Sequence, residues 1–109
     1  MQRRFFLKIV IDLDGTICSE EKQFSRSLAR PIEGAVESLK KLKSSGYHVI
    51  IYTARSWAEY EMTKDWLDKY KVPYDQLILG KPQGDFWVDD RAISFKDWDD
   101  VLRKIDAKN

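Results

Sequence analysis

The stretch Phe5-Phe6-Leu7-Lys8-Ile9-Val10-Ile11-Asp12, followed at once by Leu13-Asp14-Gly15-Thr16, decides how this chain is read. The seven residues before Asp12 are aromatic, β-branched or otherwise apolar around one lysine, which predicts a strand over Phe5–Asp12. The chain then breaks onto a glycine. Two carboxylates, Asp12 and Asp14, are thereby delivered to the end of a buried strand. Such groups must be paired, hydrogen-bonded or bound to a metal. Strand ends beside tight turns are also where α/β proteins place their chemistry.

Outward from this strand the elements alternate. Ile17 to Arg30 is polar and lacks a clear period, which predicts a loop or short flap. Pro31 stands where prolines open helices, and Ile32, Val36, Leu39 and Leu42 follow at helical spacing. Ser44-Ser45-Gly46 supplies the stop. Tyr47–Thr53 is a second strand, apolar enough at Val49-Ile50-Ile51 to be covered on both faces. Ser56-Trp57-Ala58-Glu59 matches a capping box and starts a second helix with Met62, Trp66, Leu67 and Tyr70 inward. That helix runs to about Lys71 and ends at Val72-Pro73. Leu77–Leu79 is a short third strand, Phe86–Asp89 a fourth, and Ile93–Phe95 a brief fifth. A last helix spans about Asp97–Ile105, with Trp98, Val101, Leu102 and Ile105 inward and a frayed tail at Asp106–Asn109. Strand–helix alternation predicts one α/β domain over residues 1–109, a parallel sheet with helices on both faces.

Composition agrees with a globular domain. At 109 residues the chain builds one real core. Its net charge of +1 gives no global pull toward nucleic acid or an anionic membrane, and its apolar runs are strand-sized. No signal peptide is visible before the first strand. The lone Cys18 forms no internal disulfide, which suits a reducing cytoplasm, and it reads as a small packing residue. His48 begins a strand at the edge opposite the strand ends and reads as structural.

Polar residues recur at the C-terminal ends of the strands: Asp12 and Asp14, then Thr53, then Lys81, then Asp89 and Asp90. In a parallel sheet these ends share one edge, and ligands bind there. Each residue alone is ordinary, as a turn former, a strand end or a solvated lysine. Together they suit phosphoryl transfer. Clustered carboxylates repel and call for a hard cation, and oxygen-only ligands beside phosphate argue for magnesium. Lys81, the Thr53 hydroxyl and turn amides near Gly15 are candidate donors to phosphate.

The set Asp12-Leu13-Asp14-Gly15-Thr16, Thr53 after an apolar strand, Gly80-Lys81-Pro82, and Asp89-Asp90 after a second apolar strand resembles the haloacid dehalogenase superfamily of phosphohydrolases. All four motifs occur in order. The resemblance implies a three-layer α/β/α Rossmann-like core with strand order 3-2-1-4. It implies that Asp12 attacks phosphorus and that Asp14 serves as acid, then base. It further implies that Thr53, Lys81, Gly15 and Ala54 hold the phosphoryl group. Magnesium would sit among Asp12, Asp14, Asp89 and Asp90.

Many such relatives carry a cap domain. Here Ile17–Pro31 holds only 15 residues, enough for a flap, and the interval from Thr53 to Lys81 is taken by a helix and a strand. A capless, open site follows, with a second copy of the chain as the candidate cover. Lys22, Phe24, Arg26 and Arg30 on the flap are either substrate grips or a solvated face. Arg55 either reaches a second phosphate or sugar acid, or pairs with a nearby carboxylate. Tyr52-Thr53-Ala54-Arg55 also resembles small members tied to sugar-phosphate and surface-polysaccharide metabolism. A small phosphorylated substrate is expected, a sugar phosphate first and a nucleotide second, with no nucleic acid and no membrane. The competing readings are a receiver-like phosphoryl carrier and a non-catalytic binding module. A receiver would end its third strand in the phosphorylated aspartate, and here that strand ends in Gly80-Lys81.

Overall fold

The computed structural model describes residues 7–108. Phe5 and Phe6 of the predicted first strand lie outside the described residues, as does Asn109. Three strands form one parallel sheet: β1 (Lys8–Ile11), β2 (His48–Tyr52) and β3 (Gln76–Ile78). Among the described residues three α-helices accompany them: α1 (Ala35–Ser44), α2 (Tyr60–Lys69) and α3 (Trp98–Lys108). The order β3-β2-β1 places β2 in the middle, with Val10 opposite Ile50 and Ile51 opposite Leu77. This is the parallel α/β, Rossmann-like arrangement that the strand–helix alternation requires.

Period-two alternation decides where the core lies. Ile11, Val49 and Ile51 share one face and are buried, with Leu39, Leu42, Trp66, Leu67, Trp98 and Val101 from the three helices in the same core. The opposite face carries Val10, His48, Ile50 and Tyr52. Ile50 and Tyr52 are half-buried and Val10 is 59% exposed. The covering expected on both faces is therefore complete on one face only.

Three boundaries differ from the sequence expectation. α1 begins at Ala35 instead of Pro31, because Pro31 pairs across an antiparallel bridge with Cys18. Gly34 precedes the helix at φ 82°, and a side chain there would meet Trp98 Cβ at 3.4 Å, so glycine suits the turn twice over. The Ser56–Glu59 capping box forms, but it opens a 3-10 turn, Trp57–Glu59, that leads into α2. α3 continues to Lys108, past the tail expected to fray. Its start is tied down by Asp97 Oδ1, which accepts the Asp100 amide at 2.8 Å.

The fourth and fifth strands do not form. Residues 79–97 run as irregular chain, with Val88 fully exposed at 100% and Phe86 and Trp87 also exposed. The local chemistry gives the reason. Asp89 Oδ1 accepts the Arg91 amide at 2.8 Å, which closes a turn across the end of the expected strand. The Trp87 ring lies 5.0 Å from the Lys81 ammonium instead of facing a core. Ile93 and Phe95 pack on the core as side chains, Phe95 edge-on to Trp98 at 5.6 Å, without strand pairing.

Ile17–Pro31 is a flap with its own 3-10 turn, Gln23–Leu28. Two indoles pin its ends: Trp98 Nε1 donates to the Thr16 carbonyl at 2.9 Å, and Trp66 Nε1 to the Ala29 carbonyl at 2.8 Å. Among the described residues no helix is long and apolar enough to cross a membrane.

Candidate active site

The site is built on the turn after β1. Leu13 is fully buried and its carbonyl accepts the amides of Thr16, Ile17 and Cys18. The turn is thereby wound tightly, and Asp12 and Asp14 flank its buried anchor. The Gly15 amide, one of the expected phosphate donors, donates to the Cys18 carbonyl at 2.7 Å and is engaged within the turn.

Lys81, after β3, reaches the nucleophile candidate. Its Nζ lies 3.6 Å from Asp12 Oδ1, and its ammonium also faces the Tyr52 ring at 5.7 Å. Burial pushes the Asp12 carboxyl above its ordinary value; the Lys81 charge and a hydrogen bond from the Leu13 backbone pull it back, while Asp14 adds to the rise. Thr53 follows β2 directly and is fully buried. Its carbonyl accepts the Lys81 amide at 2.9 Å, so the two motifs are joined through the backbone. Ala54 is half-buried beside it.

Arg55 turns inward. It is 1% exposed, and its guanidinium forks onto Asp14: Nε donates to Oδ2 at 3.0 Å and Nη2 to Oδ1 at 2.7 Å. Nη1 donates to Thr63 Oγ1 at 2.9 Å. Of the two sequence-level alternatives for Arg55, pairing with a carboxylate is the one observed. Burial alone lowers the guanidinium, but the hydrogen bonds and charge of Asp14 outweigh it and hold Arg55 above its ordinary value. Thr63 carried no sequence signal beyond a polar residue in an amphipathic helix.

Cys18 is buried against the same carboxylate, with Sγ 3.6 Å from Asp14 Oδ1. Burial first, then the Asp14 charge, pushes its thiol up to about 12. A thiol so placed is a packing group, not a nucleophile. On the flap, Arg26 Nη1 donates to Glu59 Oε1 at 2.6 Å, and Glu59 Oε2 accepts the Ser56 amide at 3.0 Å. Glu59 thus closes the capping box and also anchors the flap. Phe24 is 85% exposed and takes no part in the core.

Asp89 and Asp90 stay on the exposed loop. Among the described residues, no group of three or more His, Cys, Asp or Glu stands together to hold a metal. Asp12 and the Asp14 backbone offer oxygen donors of the kind a hard cation takes. The third carboxylate that the motif pattern supplies is not beside them, because the segment carrying it forms a turn in place of a strand. The arrangement therefore joins three of the four expected motifs: the acidic pair, Thr53 and Lys81.

Comparison with known proteins gives the family and the fold. Residues 16–105 match the family described as 5′ nucleotidase, deoxy (pyrimidine), cytosolic type C protein. That match begins after Asp12 and Asp14, so it is independent of them. No curated protein matches the chain. A crystal structure of a structural-genomics target from Vibrio cholerae superposes with a TM-score of 0.72 at 26% identity, covering 95% of this chain and 100% of that one. A chain of the Pnkp1/Rnl/Hen1 complex superposes with a TM-score of 0.61 at 31% identity, over 77% of this chain and 31% of that one. The D,D-heptose 1,7-bisphosphate phosphatase of B. bronchiseptica, complexed with magnesium and phosphate, shares the fold at 17% identity and a TM-score of 0.53, over 94% of this chain and 63% of that one. With the acidic pair and the lysine meeting at one strand edge, the chain belongs to the type C 5′ nucleotidase family, within the haloacid dehalogenase superfamily, and is a phosphatase.

Proposed function

We propose that this chain hydrolyses small phosphomonoesters through a phosphoryl group carried transiently on Asp12, with magnesium as cofactor. The observation that carries the reading is the convergence of Lys81 and Asp14 on Asp12: the ammonium is 3.6 Å from the Asp12 carboxylate, and Asp14 is fixed two residues away by a buried guanidinium. An Asp12 oxygen attacks phosphorus and the bond from phosphorus to the leaving oxygen breaks. Asp14 gives that oxygen its proton. Water then attacks the aspartyl-phosphate, Asp14 takes the water's proton, and inorganic phosphate leaves. Lys81 would offset phosphate charge during both steps, with the Thr53 hydroxyl, the Ala54 backbone and the Gly15 turn as the other candidate phosphate contacts.

The residues that would hold magnesium here are the Asp12 carboxylate and the Asp14 backbone carbonyl; Asp89, or Asp90 in its place, would complete the set only with the exposed loop that carries them brought over to the site. When bound, the ion supplies charge that lets a phosphate dianion meet a carboxylate nucleophile.

The family description supports a nucleoside monophosphate as the leading substrate. A sugar phosphate ranks second: it rests on the resemblance of Tyr52-Thr53-Ala54-Arg55 to small sugar-phosphate members, and Arg55, buried on Asp14, adds no grip on a second anionic group. Cys18, the single cysteine of the chain, is buried as a free thiol, which suits a reducing cytoplasm. A second copy of the chain is the proposed cover for the open site.

The test is phosphate release from nucleoside monophosphates, sugar phosphates and p-nitrophenyl phosphate, with magnesium and with chelator. Turnover that needs magnesium and ranks nucleotides first supports the reading. Turnover unaffected by chelator removes magnesium from it.

A further inference from the structure

We infer that Arg55 is a positioning residue that locks the Asp14 carboxylate in its working orientation and ties three polar motifs into one unit; this rests on the phosphomonoesterase reading above. The inference stands on one residue making three kinds of contact. Its amide donates to Thr53 Oγ1 at 3.2 Å. Its carbonyl accepts the Gly80 amide at 2.9 Å, immediately before Lys81. Its side chain takes both oxygens of Asp14. The ends of β1, β2 and β3 all meet at Arg55, beside the contacts that Lys81 makes to Thr53 and Asp12.

The fork has a consequence for rotation. A single hydrogen bond lets a carboxylate turn about its last bond. Two parallel bonds from a planar guanidinium fix its plane. The guanidinium is itself held from behind by Thr63 on α2, which is fully buried. Cys18 Sγ closes the remaining side near Oδ1. The Asp14 side chain keeps 14% of its surface open, and Arg55 keeps none. Substrate therefore meets Asp14 and not Arg55. Arg55 acts on the reaction only through the carboxylate that it holds.

Such a residue leaves a kinetic signature that a substrate-binding arginine does not. Misplacing an acid/base group by about an ångström lowers the rate roughly 10²-fold. The loss falls on leaving groups that need a proton. An aryloxide leaves without one, so it is spared in the first step. The water step still needs Asp14, whatever the leaving group.

The experiment compares wild type, Arg55→Lys and Thr63→Val on an alkyl phosphate and on p-nitrophenyl phosphate, with far-ultraviolet circular dichroism as the folding control. For Arg55→Lys the expected result is KM within a few-fold of wild type and kcat on the alkyl phosphate down roughly 10²-fold. On p-nitrophenyl phosphate a burst of p-nitrophenolate should appear, close to one per enzyme, followed by slow turnover. Thr63→Val, which leaves the fork in place, should move the same quantities less. A raised KM with unchanged kcat overturns the inference, since that marks direct substrate contact. Equal losses on both substrates with no burst also overturn it, as a general structural defect. If Arg55→Lys does not fold, Thr63→Val carries the test by the same criteria. Wild type inert toward every phosphate overturns the phosphomonoesterase reading itself, and this inference with it.

Discussion

The Lys81 ammonium lies 3.6 Å from the Asp12 carboxylate, although the two residues are far apart in sequence and end different strands. Neighbouring strands do not account for this, because β2 separates β1 from β3. The lysine reaches across because its amide is bonded to the Thr53 carbonyl, which folds the chain after β3 back over the end of β2. The meeting of charge is thus a product of backbone pairing and not of a flexible side chain finding a partner.

Removing that charge should cost catalysis far more than stability. Lys81→Met is expected to lower kcat/KM about 10²- to 10³-fold, the usual scale for loss of one preorganised charge at a reacting group. The pair is partly open to solvent, so stability should change by no more than about 1 kcal/mol. Steady-state kinetics and urea unfolding check the two halves separately. A large loss of stability with little loss of rate would assign Lys81 a structural role.

Asp75 gives a pH-dependent term in stability. Its carboxylate accepts Lys43 Nζ at 2.6 and 2.7 Å and the Val49 amide of β2 at 2.7 Å. The Lys43 hydrogen bond, chiefly, holds its carboxyl below the ordinary 3.8. A folded value below the unfolded one means that this contribution is fully present above pH 3.8 and is lost as pH falls through the lower, folded value. Asp75→Ala should therefore cost about 1 kcal/mol near neutrality, and the gap from wild type should close in strong acid. Denaturant melts at several pH values decide it.

The flap should behave as a docked segment. Trp66→Phe and Trp98→Phe each remove an indole donor from a flap carbonyl, at Ala29 and Thr16. The loss at Ala29 should cost about 1–3 kcal/mol, because a buried carbonyl is left unpaired, and the loss at the part-buried Thr16 carbonyl less. Hydrogen exchange of residues 17–31 should quicken in both variants. Unchanged exchange would place the anchor of the flap elsewhere, on the Arg26–Glu59 pair.

Cys18 should be inert in the folded protein. With its thiol at about 12 and its surface buried, it should not react with an aromatic disulfide reagent at pH 8, and should react once per chain after denaturation. Fast native reaction would contradict the packing of the turn after β1.

Much of this architecture was legible in the residues. Strand β2, the capping box at Ser56 and Glu59, the inward Trp66 and Trp98, and the acidic pair after β1 all follow from periodicity and turn chemistry. Two things were not. Phe86-Trp87-Val88 is a short apolar run, and such a run looks the same whether it pairs in a sheet or lies beside a lysine. The Asp89 side chain captures the Arg91 amide just past this run, a contact that no pattern of hydrophobicity carries. The direction of Arg55 was the second. Two residues past a strand end, the backbone decides whether a side chain faces solvent or core, and that depends on Thr63 from another element.

The most direct test of the central claim is to quench the enzyme in acid during turnover of p-nitrophenyl phosphate and map the phosphoryl group by peptide mass spectrometry. One phosphoryl group is expected, on Asp12, absent from Asp12→Asn. Turnover without any phosphorylated peptide, or with the group on another residue, would contradict it.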